Sequence, residues 1–321
     1  MILVTGAYGF VGRHLLERFS QDQKFTKVFL RSRPETLPSI VSEVCVGTID
    51  GKTDWRSPLE GVTEVVHLAA RAHILRDDAA DPEAEFRRVN VEGTLNLARQ
   101  CAQAGVKHFV FVSSVGAIAT LSDRALNETS PCSPDTPYGR SKLRAEDGLK
   151  AIAQASGMTY TILRPTLVYG PGNPGNMERL MKLVRLGLPL PLGSIRNLRS
   201  FVYVENLVDA ILCCLEHPEA RNQTFVVSDG QDVSTPQLIQ KIAQSAGYPC
   251  RLFPCPVAVL QLLGRAGSLL QRATGRTLPI NQDVVERLSG SLVVDSAKIR
   301  TTLDWQPPFS LEEGLIKTFR S

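Results

Sequence analysis

The N-terminal stretch constrains the fold of this chain more than any other feature. Residues 2–4 are an apolar run of β-forming side chains, and residues 10–19 form an amphipathic segment typical of a helix. Three glycines at three-residue spacing lie around this junction, namely Gly6, Gly9 and Gly12. This order predicts a buried strand, a tight turn and a helix at the start of the chain.

A strand, turn and helix in this order can hold a pyrophosphate. Glycine lets the backbone turn sharply and approach a phosphate, and the free N–H groups at the helix start attract negative charge. Three glycines alone are a weak signal, because tight turns are rich in glycine. Their position after an apolar strand and before a helix favours a dinucleotide site over a plain turn.

The remainder of the first half alternates strands and helices. Apolar β-forming runs occur at 27–30, 44–46, 64–68, 108–112 and 159–163, and a long helix is predicted over 81–104. This alternation predicts an α/β fold with a Rossmann-like, doubly wound parallel sheet. We assign 1–170 to a domain that binds NAD(P). Proline, glycine and short mixed elements dominate 171–321, which we assign to a smaller, mixed C-terminal substrate-binding portion, with chain crossings between the two.

The end of the second strand indicates which dinucleotide binds. An acidic residue there bonds the ribose hydroxyls of NAD, whereas an arginine accepts the 2′-phosphate of NADP. Arg31 stands at this point, nineteen residues after Gly12, and Arg33 follows it. These residues favour NADP(H), with NAD(H) as the alternative. A pair of solvated arginines at a strand end is the structural alternative.

Two polar residues fall inside predicted elements. His67 ends the fourth strand, and we expect a histidine with satisfied hydrogen bonds there rather than a catalytic one. Asn90 falls in the middle of the long helix, where asparagine is a poor helix former. We expect it to face inward and to bond backbone near the site.

Three residues carry the candidate chemistry, namely Ser114, Tyr138 and Lys142. Ser113 and Ser114 follow the fifth strand, at the edge where open α/β sheets bind ligands. Tyr138 and Lys142 are four residues apart and share one helical face. A nearby ammonium lowers the pKa of a phenol from about 10, so we predict that Tyr138, positioned by Ser114, transfers a proton. The alternative for this Tyr-x-x-x-Lys pair is an ordinary exposed helix face.

Composition excludes several function classes. The net charge is +4 over 321 residues, without evident clustering, and no basic run with interleaved aromatics suggests nucleic-acid binding. Seven scattered cysteines without a Cys-x-x-Cys pair argue against a disulfide framework and a metal site, and favour a reduced, cytoplasmic protein. No signal peptide or integral membrane segment is predicted. The apolar stretch 256–270 is short and interrupted, so we prefer a packed helix, with peripheral membrane contact as the lesser alternative.

These motifs together resemble a known family. Thr-Gly-x-x-Gly-x-x-Gly at 5–12, His-Leu-Ala-Ala at 67–70, Ser-Ser at 113–114 and Tyr-x-x-x-Lys at 138–142 are similar to the extended short-chain dehydrogenase/reductases. The segments 164–172, 199–208 and 227–235 resemble the UDP-glucose 4-epimerase branch. They most resemble the bacterial C4 reductases and epimerases that act on UDP-4-keto-N-acetylhexosamines in O-antigen synthesis.

The resemblance implies further residue roles. The cofactor would contact the glycine turn, the second and third strand ends, the fourth strand end and residues near the catalytic set. These are Gly6, Tyr8, Gly9, Phe10, Val11, Gly12, Arg31, Arg33, Thr48, Ile49, Leu68, Ala69, Ala70, Asn90, Ser113, Lys142, Arg164 and Pro165. A UDP-sugar would contact Ser114, Tyr138, Thr166, Tyr169, Asn176 and Arg199. The resemblance also implies a homodimer.

Several positions depart from the family pattern. Arg31 replaces the aspartate of epimerases that retain NAD, and Thr48 stands where an acidic residue is usual. Leu288 lies near the place of a phosphate-binding arginine, with Arg287 one position away. Residues 116–118 lack the usual polar side chains after the serines.

Three functions remain open at this stage. The first is an NADP(H)-dependent reductase of a UDP-4-keto-6-deoxy-N-acetylhexosamine, in the synthesis of surface polysaccharide. The second is a 4-epimerase of a UDP-hexose or UDP-N-acetylhexosamine that retains NAD. The third is a non-catalytic protein that senses a dinucleotide, against which the intact Tyr138–Lys142 pair argues.

Overall fold

The computed structural model describes residues 1–72, 81–173, 176–274 and 281–320, without the side chains at 176, 272–274 and 320. Its ten strands are β1 Ile2–Thr5, β2 Thr26–Leu30, β3 Val41–Val46, β4 Glu64–His67, β5 His108–Val112, β6 Thr159–Pro165, β7 Leu167–Tyr169, β8 Arg199–Tyr203, β9 Gln223–Val227 and β10 Asp232–Val233.

Eleven α-helices accompany the strands within the described ranges. They are α1 Phe10–Gln21, α2 Pro82–Phe86, α3 Thr94–Ala104, α4 Pro137–Ser156, α5 Asn176–Arg185, α6 Val204–Glu216, α7 Thr235–Ala246, α8 Val257–Thr274, α9 Gln282–Ser289, α10 Ala297–Leu303 and α11 Leu311–Arg320. A π-helical stretch, Arg87–Gly93, and two short 3-10 turns, Val115–Ala117 and Pro218–Ala220, complete the regular structure. None of these helices is long and apolar enough to cross a bilayer.

Seven strands form one parallel sheet in the order β3-β2-β1-β4-β5-β6-β9. The order reverses direction at β1, which places the carboxyl ends of β1 and β4 side by side at a switch point. All five residues of β5 are buried, as expected for a strand covered on both faces. The predicted Rossmann-like, doubly wound sheet is confirmed.

Helices pack on both faces of this sheet. One core cluster joins the strands to α1 and α6 through Leu15, Phe19, Leu207 and Ile211. The other joins them to α3 and α4 through a second set of buried apolar residues that includes Leu97 and Leu149. The two layers fix where α4, and therefore Tyr138 and Lys142, lies relative to the strand ends.

A smaller mixed sheet follows, in which β8 pairs in parallel with β7 and antiparallel with β10. The chain then crosses back, because β9 pairs with β6 at the edge of the large sheet. Helix α6, also from the second half, packs in the core of the large sheet. The boundary at residue 170 stays a prediction, and the predicted mixed portion contains elements that serve the first sheet.

The predicted helix over 81–104 is interrupted. Asp81 caps α2 by accepting a hydrogen bond from the backbone N–H of Ala84 at 3.0 Å. The π-helical stretch 87–93 then separates α2 from α3 and contains Asn90. Gly93 lets this stretch pack closely against the chain after β3, because a Cβ there would lie 2.7 Å from Cγ2 of Ile49.

Candidate active site

The glycine turn after β1 packs tightly against neighbouring backbone atoms. Gly6 has a φ of +71°, and a Cβ on it would lie 2.6 Å from the backbone N of Ala69. A Cβ on Gly12 would lie 2.3 Å from the carbonyl oxygen of Gly6. Only glycine fits at these two positions. The turn therefore brings bare backbone N–H groups and the start of α1 to one point, which fits a pyrophosphate.

Side chains around this turn fix the neighbouring loops. The hydroxyl of Tyr8 donates to the carbonyl of Thr36 at 2.9 Å, so it ties the loop after β2 to the turn. Phe10 packs edge-on against His14, with ring centroids 5.7 Å apart. Val11 is half-buried and contacts both the large core and the core of the smaller sheet. These residues shape the turn, and their contacts to a cofactor stay predictions.

The end of β2 is open and basic. Arg31 and Arg33 are exposed there, at the carboxyl edge of the large sheet. Across from them, Thr48 is exposed and Ile49 is half-buried after β3. The structure brings these four residues to the side of the sheet where an adenosine ribose would bind, in agreement with the predicted placement.

The end of β4 contacts the glycine turn and a buried asparagine. Leu68, Ala69 and Ala70 are half-buried beside Gly6. Asn90 accepts a hydrogen bond from the backbone N–H of Arg71 at 2.7 Å and donates to the Arg71 carbonyl at 3.1 Å. It also donates to Oγ of Ser141 at 3.0 Å.

Asn90 is therefore a support rather than a surface for a ligand. It is only 2% exposed, and its amide is shared between the strand end and α4. Ser141 in turn donates to the carbonyl of Tyr138 at 2.7 Å. The prediction of an inward-facing residue agrees with this geometry, whereas direct cofactor contact is not available to a side chain so enclosed. His67 is equally enclosed, with Thr5 at 2.6 Å and Thr94 at 2.9 Å.

Ser114, Tyr138 and Lys142 lie together at the carboxyl end of β5. Thr136 caps α4 by accepting from the N–H of Gly139 at 3.0 Å, so Tyr138 falls in the first helical turn. A Cβ on Gly139 would lie 2.2 Å from the carbonyl oxygen of Gly116. Glycine at 139 therefore lets the helix start press against the serine turn and brings Tyr138 within hydrogen-bond reach of Ser114.

Lys142 lies beneath this pair, 2% exposed. Its Nζ donates to the carbonyl of Val112 at 2.9 Å and lies 4.6 Å from the ring centroid of Phe111 and 6.0 Å from that of Tyr138. Burial lowers the pKa of Lys142 to about 8, although the nearby carboxylate of Glu146 favours the charged form.

The pKa of Tyr138 differs from the sequence expectation. Burial raises it to about 12, and the hydrogen bond with Ser114 offsets only part of that effect. The predicted lowering by Lys142 is therefore wrong for the chain by itself. The ammonium lies beside the aromatic ring and bonds a backbone carbonyl, so it does not bond the phenol oxygen. Tyr138 is a neutral acid at pH 7.

A buried ion pair supports the catalytic helix and escaped sequence reasoning. Glu146, one turn after Lys142, is fully buried and binds Arg164 of β6 through Nε at 3.1 Å and Nη2 at 2.6 Å. Ser113 donates to the same carboxylate. Arg164 was predicted to contact a cofactor, but it is 3% exposed and directed inward at Glu146. Pro165, beside it on β6, is also buried.

The two predicted sugar contacts after β6 that the structure describes are buried. Thr166 is 5% exposed, and its N–H donates to the carbonyl of Val227 at 3.1 Å. Tyr169 is fully buried, and its hydroxyl donates to Asp229 at 3.0 Å. Its predicted contact with the sugar is corrected to a core role, because strand β7 turns this ring into the second core cluster. The side chain of Asn176 lies outside the described residues.

Two arginines meet at the start of β8. Nη1 of Arg199 donates to the backbone carbonyl of Arg287 at 2.6 Å, and the two guanidinium groups are close enough for Arg287 to add to the effect of burial in lowering the pKa of Arg199. Two cations held together favour binding of an anion such as a diphosphate. Leu292 forms a β-bridge with Arg199 and packs in one apolar cluster with Val115, the residue after Ser114. The two arginines therefore lie on the same side of the molecule as Ser114.

Comparison with known proteins gives the family. A profile described as "NAD dependent epimerase/dehydratase family" matches residues 2–228. A UDP-glucose 4-epimerase of Vibrio cholerae is 40% identical over 321 residues, which is 99% of this chain and 94% of the relative. An N-acetyl-alpha-D-glucosaminyl-diphospho-ditrans,octacis-undecaprenol 4-epimerase of Escherichia coli O157:H7 is 30% identical and covers the same shares, 99% and 94%.

Solved structures agree. A UDP-glucose 4-epimerase of Thermotoga maritima, crystallised with UDP-glucose, has a TM-score of 0.76 and 25% identity, and the match covers 99% of this chain and 97% of that one. The resemblance to the epimerase branch of the extended short-chain dehydrogenase/reductases is confirmed, and with it an enzyme that uses a nicotinamide dinucleotide. The chain is a member of the NAD dependent epimerase/dehydratase family.

Proposed function

We propose that this enzyme transfers hydride at C4 of the hexose in a UDP-linked sugar. The observation that carries the proposal is the placement of Tyr138 beside Ser114 and above the buried Lys142, at the carboxyl end of the sheet. Ligands of open α/β sheets bind at that edge. The glycine turn, where a Cβ at position 6 or 12 would collide with backbone, fits the pyrophosphate of the dinucleotide.

Each side chain has a defined task in this proposal. Tyr138, protonated at neutral pH, donates its proton to the oxygen that develops at C4, and Ser114 orients the same oxygen. Lys142 holds positive charge near the ring that becomes a phenolate. When bound, the nicotinamide supplies the hydride.

The diphosphate of the sugar nucleotide is assigned to Arg199 and Arg287. They are adjacent cations at the start of the small sheet, on the side of Ser114. A guanidinium bonds phosphate oxygens in a fixed fork, which sets the orientation of the ligand as well as its affinity. The sugar would then extend from these arginines toward Tyr138.

The first candidate reaction is reduction of a UDP-4-keto-6-deoxy-N-acetylhexosamine by NADPH, as a step of surface polysaccharide synthesis. Arg31 and Arg33 are exposed at the end of β2, where a 2′-phosphate would be recognised. A reductase must exchange its cofactor in every turnover, and an open, basic ribose site suits that exchange. A neutral phenol is also the form that a reduction consumes.

The second candidate is 4-epimerisation with a retained NAD. The Vibrio cholerae and Escherichia coli relatives carry this activity in their names, for a UDP-sugar and for a sugar diphosphate linked to undecaprenol. An epimerase uses the same three residues but removes hydride and returns it to the opposite face. The cofactor is then regenerated in each cycle.

One assay separates these candidates. Purified enzyme is given a UDP-4-keto-6-deoxy-N-acetylhexosamine with NADPH, and in parallel UDP-glucose or UDP-N-acetylglucosamine without added cofactor. Oxidation of one NADPH per sugar reduced supports the reductase. Epimer formed without added cofactor supports the epimerase. Dinucleotide binding with turnover in neither assay would support the sensing protein and reject both.

The cofactor preference has its own test, in Arg31→Asp. Removing the guanidinium and adding a carboxylate should repel the 2′-phosphate and attract the ribose hydroxyls, so we expect the ratio of kcat/KM for NADPH to that for NADH to fall by about tenfold or more. Arg13→Asp, an exposed site on α1, is the charge control. An unchanged ratio in Arg31→Asp would refute the assignment of this strand end to NADP(H).

A further inference from the structure

Helix α8 is apolar on the side that faces away from the protein. Its inner side is buried at Leu260 and at Gly264, where a Cβ would lie 2.9 Å from Val285. Its outer side presents Val259, Leu262, Leu263 and Leu269, which are exposed by 45%, 67%, 51% and 64%. A helix that is apolar on its outer side as well as its inner side normally has a second apolar environment to enter.

Neighbouring segments extend this apolar surface. The chain after α5 pairs with the chain before α8, because the N–H of Leu190 donates to the carbonyl of Arg251 at 2.8 Å and the N–H of Phe253 donates to the carbonyl of Leu190 at 3.1 Å. Nine of the fourteen exposed large apolar side chains among the described residues lie on these segments and α8. We call them the leucine face: Leu186, Leu188, Tyr248, Phe253, Val259, Leu262, Leu263, Leu269 and Leu270.

The segment that carries seven of these nine side chains has charge of one sign, whereas the neighbouring α9 exposes Asp283 and Glu286. Residues 235–281 contain five Lys and Arg and no Asp or Glu. Removing those five from the 36 cations of the chain leaves 31, against 32 acidic residues. The positive excess of the chain can thus be assigned to this segment, although Lys241 in it pairs with Glu312. Of these cations, Arg251 and Arg265 are exposed.

We infer that the leucine face binds the surface of a lipid bilayer that contains anionic headgroups. Exposed leucines and a phenylalanine would enter the boundary between headgroups and acyl chains, and Arg251 and Arg265 would meet the lipid phosphates. Helix α8 would lie in the plane of the interface, since its inner side packs on α9 and the core. Large apolar side chains exposed close together on a protein surface mark interaction sites for a protein or a membrane.

A bilayer suits this surface better than a second copy of the chain. Two leucine faces in contact would bring together two segments that carry cations and no acids, and like charges oppose such an interface. An anionic membrane supplies both the apolar layer and the opposite charge.

The test is co-sedimentation of the full chain with extruded vesicles. One set is phosphatidylcholine with 30% phosphatidylglycerol, and the other is phosphatidylcholine alone. We expect the bound fraction to be at least tenfold higher on the anionic vesicles and to fall as NaCl rises from 50 to 500 mM, because salt screens the arginines. These lipid and salt levels are about those of ordinary binding experiments.

Variants identify the face that binds. Leu262→Gln with Leu269→Gln should reduce binding about tenfold, and Arg251→Gln with Arg265→Gln should weaken it and flatten its salt dependence. The matched control is Phe25→Gln with Leu121→Gln, which removes two exposed apolar side chains elsewhere, 60% and 45% exposed. All these positions are exposed, so thermal unfolding should change little.

Three results would overturn the inference. The first is equal sedimentation with neutral and anionic vesicles, and the second is equal loss in the control variant. The third is a self-associated wild type that Leu262→Gln with Leu269→Gln converts to monomer without any vesicle binding, which would make the face an interface between copies. No result here depends on catalysis, so the proposed reaction can fail without affecting this test.

Discussion

Tyr138 keeps its proton at neutral pH because burial raises the pKa of its phenol more than the neighbouring Ser114 lowers it. The residue is therefore in the protonation state that the proposed reduction requires of a proton donor. Lys142, whose pKa falls to about 8, is held charged by Glu146 one helical turn away. The two residues are tuned in opposite directions by the same burial.

Replacing the phenol oxygen alone tests the role of Tyr138. Tyr138→Phe keeps the ring that packs against Phe86, with centroids 6.1 Å apart, and removes only the proton donor. We expect kcat to fall by about 10²–10⁴-fold, the usual contribution of general acid catalysis, with cofactor affinity changed little. Tyr248→Phe, at an exposed site, is the control. A Tyr138→Phe enzyme near full rate would exclude the phenol from the reaction.

The burial of Lys142 should make the stability of the fold depend on pH. The pKa of Lys142 is about 8 in the folded chain and near 10.5 in the unfolded chain. Between these two pH values the unfolded state binds more protons than the folded state. The contribution of Lys142 to the free energy of unfolding therefore rises as the pH increases through that range. The cost below pH 8 is at most about 3 kcal/mol. Relative to Lys142→Met, the wild type should therefore gain stability from pH 7.5 to pH 10, as measured by urea unfolding. A pH-independent difference would contradict this.

At the scale of elements, α4 links the site to the rest of the fold. Thr136 starts the helix, Gly139 lets it approach the serine turn, and Glu146 fastens it to β6 through Arg164. Removing one member of a buried pair of this kind costs several kcal/mol, because the other charge is left without a partner. The helix is therefore held at both ends of its catalytic stretch.

The close approach at Gly139 is testable with one methyl group. Gly139→Ala would place a Cβ 2.2 Å from the carbonyl oxygen of Gly116, so the helix start must move away from Ser114. We expect kcat to fall at least about tenfold and stability to drop by about 1–3 kcal/mol. At Gly51 a Cβ would meet only Glu92 at an ordinary 3.4 Å, so Gly51→Ala is the control. Equal kinetics of the two variants would show that the contact does not set the distance.

Sequence patterns predicted six of the seven strands of the large sheet and the turn that begins it, because buried parallel strands are continuous apolar runs and the glycines stand at the strand end. The seventh strand, β9, comes from the half assigned to the second portion. The predicted strand at 44–46 begins instead at Val41, since β3 is an edge strand whose Ser42 and Glu43 hide its start. The π-helical stretch at Asn90 was not foreseen from the sequence, which predicted one continuous helix.

The site was predicted less completely than the fold. Ser114, Tyr138 and Lys142 were found because their spacing within the chain reflects their position on a strand end and one helix face. The Glu146–Arg164 pair and the buried hydroxyl of Tyr169 were missed, since their partners come from distant segments and no local pattern records them. The exposed or buried state of an arginine cannot be read from its own neighbours in the sequence.

At the scale of the whole molecule, the proposed function divides cofactor binding and sugar-nucleotide binding between the two sheets. The glycine turn and β2 belong to the large sheet, whereas Arg199 begins β8 of the small one. Cofactor and sugar nucleotide should therefore respond separately to mutation. The homodimer and the cytoplasmic location stay predictions.

Arg199→Ala tests this division. Loss of a charge-assisted bond to phosphate should raise KM for the UDP-sugar by about tenfold or more, with NADPH affinity changed less than about twofold. Arg196→Ala, an exposed neighbour, is the control. Initial rates with each ligand varied in turn supply both constants. Loss of cofactor affinity in Arg199→Ala would show that the two sites are not independent.

The return of β9 to the edge of β6 has a consequence for synthesis on the ribosome. While the small sheet between them is being translated, β6 has no neighbour on its outer side and offers unpaired backbone groups to any other nascent chain. The large sheet can be completed only after Val227 has left the exit tunnel. Its last strand is therefore added after the small sheet between β6 and β9 has been translated.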